Sequence, residues 1–83
     1  MDGREELLAR VRARIARCSW DEFLDLAEAY GFSLHVGKGS RRRLSHKSGL
    51  VVSVHEPHPR SKPVHPEAVK ALLRAIERLE DET

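Results

Sequence analysis

Along the first third of the chain, apolar residues return with helical spacing. Between Arg4 and Arg17, Leu7, Leu8, Val11, Ile15 and Cys18 fall on one stripe, which predicts an amphipathic helix. Glu6, Arg10 and Arg14 stand four apart and can pair along one flank. Ser19-Trp20-Asp21-Glu22 is a capping box, in which Ser19 accepts from the Glu22 amide while Glu22 reaches back. A second helix therefore starts at Trp20, with Phe23, Leu24, Leu26, Ala27 and Tyr30 as its buried stripe. Gly31 ends it in the left-handed conformation, and Phe32 covers the last turn.

After Gly31 the period changes to two. Phe32, Leu34 and Val36 are expected to face the core, with Ser33 and His35 turned away. Arg41 to His46 predicts a second strand with Leu44 inward and Arg41, Arg43 and Ser45 outward. Lys47-Ser48-Gly49 turns the chain into a third strand, Leu50 to His55, with Leu50, Val52 and Val54 inward and Val51, Ser53 and His55 outward. Three prolines between Glu56 and His65 mark a constrained loop. Pro66 then suits the first position of a helix whose stripe is Val69, Leu72, Leu73, Ile76 and Leu79. The acidic run Glu80-Asp81-Glu82 opposes the dipole of that helix, so fraying is expected there, as at Met1 to Gly3.

The order predicts an α+β fold, α-α-β-β-β-α. Its three-stranded antiparallel sheet is covered by helices on one face and open to water on the other. Residues 1–18 form the N-terminal amphipathic helix, 19–79 the main domain, and 80–83 an acidic tail. The open face would carry Ser33, His35, Arg41, Arg43, Ser45, Ser53 and His55.

Composition narrows the chemistry. Eighty-three residues make one domain. The single Cys18 rules out an internal disulfide framework and a cysteine-based zinc site, and fits a reducing, cytoplasmic setting. There is no apolar run of membrane-spanning length. The net charge of +2 says little, but its distribution says more. Residues 31–70 carry eight Lys/Arg against Glu56 and Glu67, whereas residues 1–30 carry five against seven acids and residues 71–83 carry two against four. A basic middle between acidic ends points to a face that binds a polyanion.

The basic charge concentrates in Gly37-Lys38-Gly39-Ser40-Arg41-Arg42-Arg43. The glycines allow a tight hairpin tip, and Lys38, Arg41, Arg42 and Arg43 can position phosphates, with the tip backbone at Gly39 and the Ser40 hydroxyl lying close. His55, His58 and His65 gather around the proline loop, but no cysteine or inward carboxylate pair completes a metal site, so neither metal nor cofactor is expected. No phosphate loop leads from a strand into a helix, which removes nucleotide hydrolysis. RNA cleavage by the 2′-hydroxyl needs a base and nearby cations, and His35 flanked by Arg41 and Arg43 would supply both.

Several of these residues also share an order with one family: Glu22-Phe23-Leu24 through Gly31-Phe32, then Lys38-Gly39-Ser40, then His46, Gly49 and Val51-Val52. Val54, Pro57-His58, Val64 and the helix holding Val69, Leu72 and Leu73 complete the set. Over Ser19 to Ile76 the chain resembles the HicA toxins of bacterial type II toxin–antitoxin pairs. The resemblance implies a double-stranded-RNA-binding-domain-like fold, binding and cleavage of mRNA, and inactivation by a HicB antitoxin. The family's catalytic histidine directly follows its Gly-Ser, where this chain has Arg41, and the aromatic three residues on is replaced by Leu44. An arginine stays protonated and cannot act as a general base. Losing the base costs about 10² to 10⁴ in rate. The expectation is therefore an mRNA-binding protein whose metal-independent endoribonuclease activity, if retained, would use His35. The competing expectation is an interaction module holding an antitoxin or a second copy of itself. The added N-terminal helix favours it, since an apolar stripe must be covered. Duplex DNA binding lacks an obvious recognition helix.

Overall fold

A computed structural model describes residues 3–81. Its elements are α1 (Gly3–Ala13), a 3₁₀ turn (Ile15–Arg17), α2 (Trp20–Ala29), β1 (Ser33–Val36), β2 (Arg41–Ser45), β3 (Val51–His55) and α3 (Pro66–Asp81). The strands form an antiparallel sheet in the order β1-β2-β3, and the α-α-β-β-β-α architecture is the one the hydrophobic pattern predicts.

The first helix stops earlier than its apolar stripe suggests. Arg14 leaves helical geometry at φ −134°, ψ 42°, and the chain tightens into the 3₁₀ turn before Cys18 extends. The break lets the Cys18 carbonyl accept from the Val64 amide at 2.8 Å. It also lets Ser19 adopt the extended backbone that an N-cap requires. Both halves of the capping box form: the Glu22 amide donates to Ser19 Oγ at 3.1 Å, and the Ser19 amide donates to Glu22 Oε1 at 3.2 Å. Those bonds, chiefly the one from the Ser19 amide, hold the Glu22 carboxyl below its ordinary pKa, and Arg14 at 3.3 Å adds to the effect. At the other end, Gly31 takes φ +90°. The Phe32 amide bonds the Ala27 carbonyl and the Gly31 amide bonds that of Glu28, both at 3.0 Å, which is a Schellman stop.

One core joins all the elements. Leu8 and Val11 of α1 pack with Trp20, Phe23 and Leu26 of α2, with Leu44, Val52 and Val54 of the sheet, and with Val69, Leu72 and Ile76 of α3. The stripe of α1 is thus covered by its own chain, and Arg12 reaches Glu77 of α3 at 3.5 Å. At the start of α3, His65 acts as the cap: the Glu67 amide donates to its Nδ1 at 3.1 Å, and the Ala68 amide to its carbonyl at 2.9 Å. The helix stays regular through Glu80 and Asp81, where fraying is expected from charge, while Met1, Asp2, Glu82 and Thr83 lie outside the described residues.

β1 departs from its predicted burial. Leu34 is 37% exposed and Val36 72%, although alternation assigns both to the core. Their direction is right, since Leu34 pairs with buried Leu44 and Val36 with Arg42. The correction concerns coverage. β1 is an edge strand, and the core beneath it ends at Phe32 and Leu44. The alternation in β3 holds, with Val52 and Val54 buried between exposed Val51, Ser53 and His55.

Leu8 is 5% exposed and belongs to the shared core, so Leu8→Ala should lower unfolding free energy by about 2 to 3 kcal/mol in urea titrations. A change under about 0.5 kcal/mol would mean that α1 does not dock on this domain.

Candidate nucleic-acid interface

The β1–β2 hairpin closes over Lys38-Gly39-Ser40. The Gly37 amide donates to the Arg41 carbonyl at 2.9 Å and the Arg41 amide to the Lys38 carbonyl at 3.0 Å. Gly39 turns the tip with φ +58°. Gly37 lies close to β2: a Cβ there would stand 3.2 Å from that of Arg41, so a side chain would press on it.

Register then decides which side chains meet. His35 pairs with Arg43, and Arg43 with Ser53; one step toward the tip, Arg41 pairs with His55. All five are exposed on the face that the helices leave open. They line a groove of about 500 Å³, with Gly37 opposite Arg41 leaving one side of it without a side chain. Neither Arg41 nor Arg43 makes an ion pair or side-chain hydrogen bond among the described residues. Two such exposed guanidiniums have the charge and N–H geometry that phosphate oxygens require.

Each imidazole is oriented by a serine. His35 Nε2 lies 2.7 Å from Ser45 Oγ, and His55 Nδ1 lies 3.0 Å from Ser40 Oγ. Ser45 follows Arg43 along β2, so the His35 ring leans away from Arg41 and the hairpin tip. Lys38, Gly39 and Ser40 sit exposed at the tip itself.

Arg42 goes elsewhere. Alternation sends it to the helix side, where its side chain is only 14% exposed. Its guanidinium donates to Glu56 Oε1 at 3.2 Å and to the Gly39 and Arg41 carbonyls at 2.9 and 2.7 Å. Glu56 also accepts from Arg60 at 2.9 Å, and its amide donates to the Ser40 carbonyl at 2.8 Å. The Arg60 hydrogen bond, followed by the charges of Arg60 and Arg42, holds the Glu56 carboxyl below its ordinary pKa. This cluster ties the hairpin tip to the proline loop. Of the residues that the sequence proposes for phosphate binding, Arg42 is therefore the one the fold commits to structure.

The remaining titratable groups have local tasks. His46 Nδ1 accepts from the Ser48 amide at 3.0 Å, and its ring packs on Phe32 with centroids 5.2 Å apart. Burial, with help from Glu22, pushes the Cys18 thiol up to about 11, which makes it a poor nucleophile. Among the described residues, no three of His, Cys, Asp and Glu gather closely enough to hold a metal ion. His55 is the groove residue whose place beside Arg41 sequence reasoning passes over. Counting outward from the Lys47-Ser48-Gly49 turn gives the pairing, because His46 and Leu50 close that turn with a 2.9 Å bond.

A family model described as the HicA toxin of bacterial toxin–antitoxin systems matches residues 20–77. The match begins at the start of α2 and ends within α3, so α1 lies outside it. No curated protein and no solved structure gives a significant match.

The Glu56 cluster has a definite pH signature. Because the folded carboxyl titrates below its ordinary value of 4.5, its contribution to stability is complete above that value and is lost as pH falls through the lower folded value. Glu56→Gln should therefore be less stable than the parent at pH 7, and the gap should narrow on acidification below pH 4.5. Melting temperatures recorded from pH 7 to pH 2.5 test this, and a gap independent of pH would contradict it.

Proposed function

Because the chain belongs to the HicA toxin family, we propose that it binds RNA through the open face of its sheet. The observation carrying this reading is the pair Arg41 and Arg43, exposed, without carboxylate partners among the described residues, and lining one groove with His35 and His55. Lys38 extends the cationic surface to the hairpin tip. The arginines direct two N–H groups each at phosphate oxygens, and the absence of a helix over this face lets a nucleic-acid strand lie along it. Single-stranded RNA suits the groove better than a duplex, since unstacked backbone can bend into a concave site between strands.

Within a toxin–antitoxin pair, the second partner is a HicB-like antitoxin protein, and burying Arg41 and Arg43 under acidic groups would suffice to block RNA. The alternative of a pure interaction module rests on the N-terminal helix. Leu8 and Val11 are buried within this chain, while Leu7 and Ile15 are partly buried, so most of that stripe is already used by the core.

Three cations, each neutralising one phosphate, give a slope of about −2 for log affinity against log salt, at about 0.7 per contact on single-stranded RNA. Fluorescence anisotropy between 50 and 200 mM salt should show that slope. Replacing Lys38, Arg41 and Arg43 with Ser should remove most of it. Arg42→Ser should leave it nearly unchanged and lower the melting temperature instead. A slope near zero in the unaltered protein would end the RNA-binding reading.

A further inference from the structure

We propose that His55 is the general base of a metal-independent RNA-cleaving site in this groove, with Arg41 and Arg43 holding the phosphate that is attacked. The inference rests on the RNA-binding reading above and adds the reacting group to it.

The two imidazoles on the open face differ in the nitrogen they leave available. His35 commits Nε2, its distal nitrogen, to Ser45 Oγ at 2.7 Å. His55 uses Nδ1, the nitrogen nearer its backbone, toward Ser40 Oγ at 3.0 Å, and its Nε2 makes no hydrogen bond among the described residues. When Nδ1–H donates to the serine oxygen, Nε2 carries the lone pair that a base needs. Ser40 is thus a positioning residue that orients the ring and leaves Nε2 turned to the groove. It is held in turn by its carbonyl, which accepts from the Glu56 amide at 2.8 Å.

The neighbours of His55 suit the reaction. Cross-strand partners in an antiparallel pair stand about 4.5 to 5.5 Å apart at Cα, so the Arg41 guanidinium and the imidazole can address one phosphodiester together. Arg43 lies on the same face one pleat along β2. The charged or titratable groups around the ring are Arg41, Arg42 and Arg43 of β2, His35 of β1, and Glu56, Lys62 and His65 of the segment after β3. Glu56 is occupied by Arg42 and Arg60, which leaves the guanidiniums of the groove to the ligand.

The step balances without a metal or co-reactant. His55 Nε2 takes the proton of a ribose 2′-hydroxyl, and that oxygen forms a bond to the adjacent phosphorus. The bond from phosphorus to the 5′-oxygen breaks, and the leaving oxygen takes a proton from water. The products are a 2′,3′-cyclic phosphate and a 5′-hydroxyl, and the imidazolium returns its proton to solvent. Charge that builds on the non-bridging oxygens is met by Arg41 and Arg43.

The test uses the full chain, a 5′-labelled single-stranded RNA of mixed sequence, its all-2′-deoxy counterpart, and EDTA throughout. The parent should cleave the RNA to cyclic-phosphate ends and bind the deoxy strand without cutting it. His55→Ala should lose about 10² to 10⁴ in cleavage rate while its affinity for the deoxy strand changes less than threefold. Retained binding shows at the same time that the variant is folded, and His55→Gln repeats the test with a side chain closer in size. Binding without cleavage by the parent overturns the assignment, as does cleavage that survives His55→Ala or fails only in His35→Ala. Absence of binding by the parent instead removes the RNA-binding reading beneath it.

Discussion

Between β2 and β3 the chain reverses through a short turn. The His46 amide meets the Leu50 carbonyl at 2.9 Å, the Gly49 amide meets that of His46 at 2.9 Å, and Gly49 takes φ +99°. This turn sets the pairing Arg41↔His55, Arg43↔Ser53 and Leu44↔Val52. Side chains alternate between faces, so a slip of one residue would send Val52 and Val54 into water and Ser53 and His55 toward the helices. Burial of Val52 and Val54 to 3% and 5% penalises that slip strongly. The apolar face thereby fixes the polar one, and the groove is a by-product of a correctly paired core.

The helices supply the complementary constraint. With α2 and α3 packed on one side only, the other side of the sheet stays wet, and arginine, histidine and serine can stand there without desolvation cost. On the wet side, guanidiniums keep their charge available. On the covered side, Arg42 needs Glu56 and two carbonyls to be accommodated. Adjacent residues of one arginine run therefore have opposite fates, decided by the two-residue period of the strand.

Local signals were the most readable part of this fold. The capping box at Ser19, the glycine stop at Gly31, the turn at Gly49 and the proline start of α3 are each written in a few adjacent residues, and each forms. The exposure of Arg41 and Arg43 on the open face follows equally from strand alternation. What escaped depends on distant parts of the chain. The break at Arg14 answers to a hydrogen bond between Cys18 and Val64, and the exposure of Leu34 and Val36 reflects where the helical layer ends. The diversion of Arg42 requires Glu56 to arrive from the next loop. His35 and His55 look alike in the sequence, and only the serine each one finds distinguishes them.

Among the described residues no strand pairs with the outer side of β1, and the strand carries apolar Val36 at 72% exposure. Open backbone beside apolar side chains is the template on which chains stack into insoluble ribbons. This edge is four residues long and ends in a tip bearing Lys38, with Arg41 immediately beyond. A short edge that ends in cationic residues is a poor template for pairing with a second copy. The cations at the hairpin tip thus also favour the colloidal stability of the free protein, and any polyanion that cancelled them would weaken it.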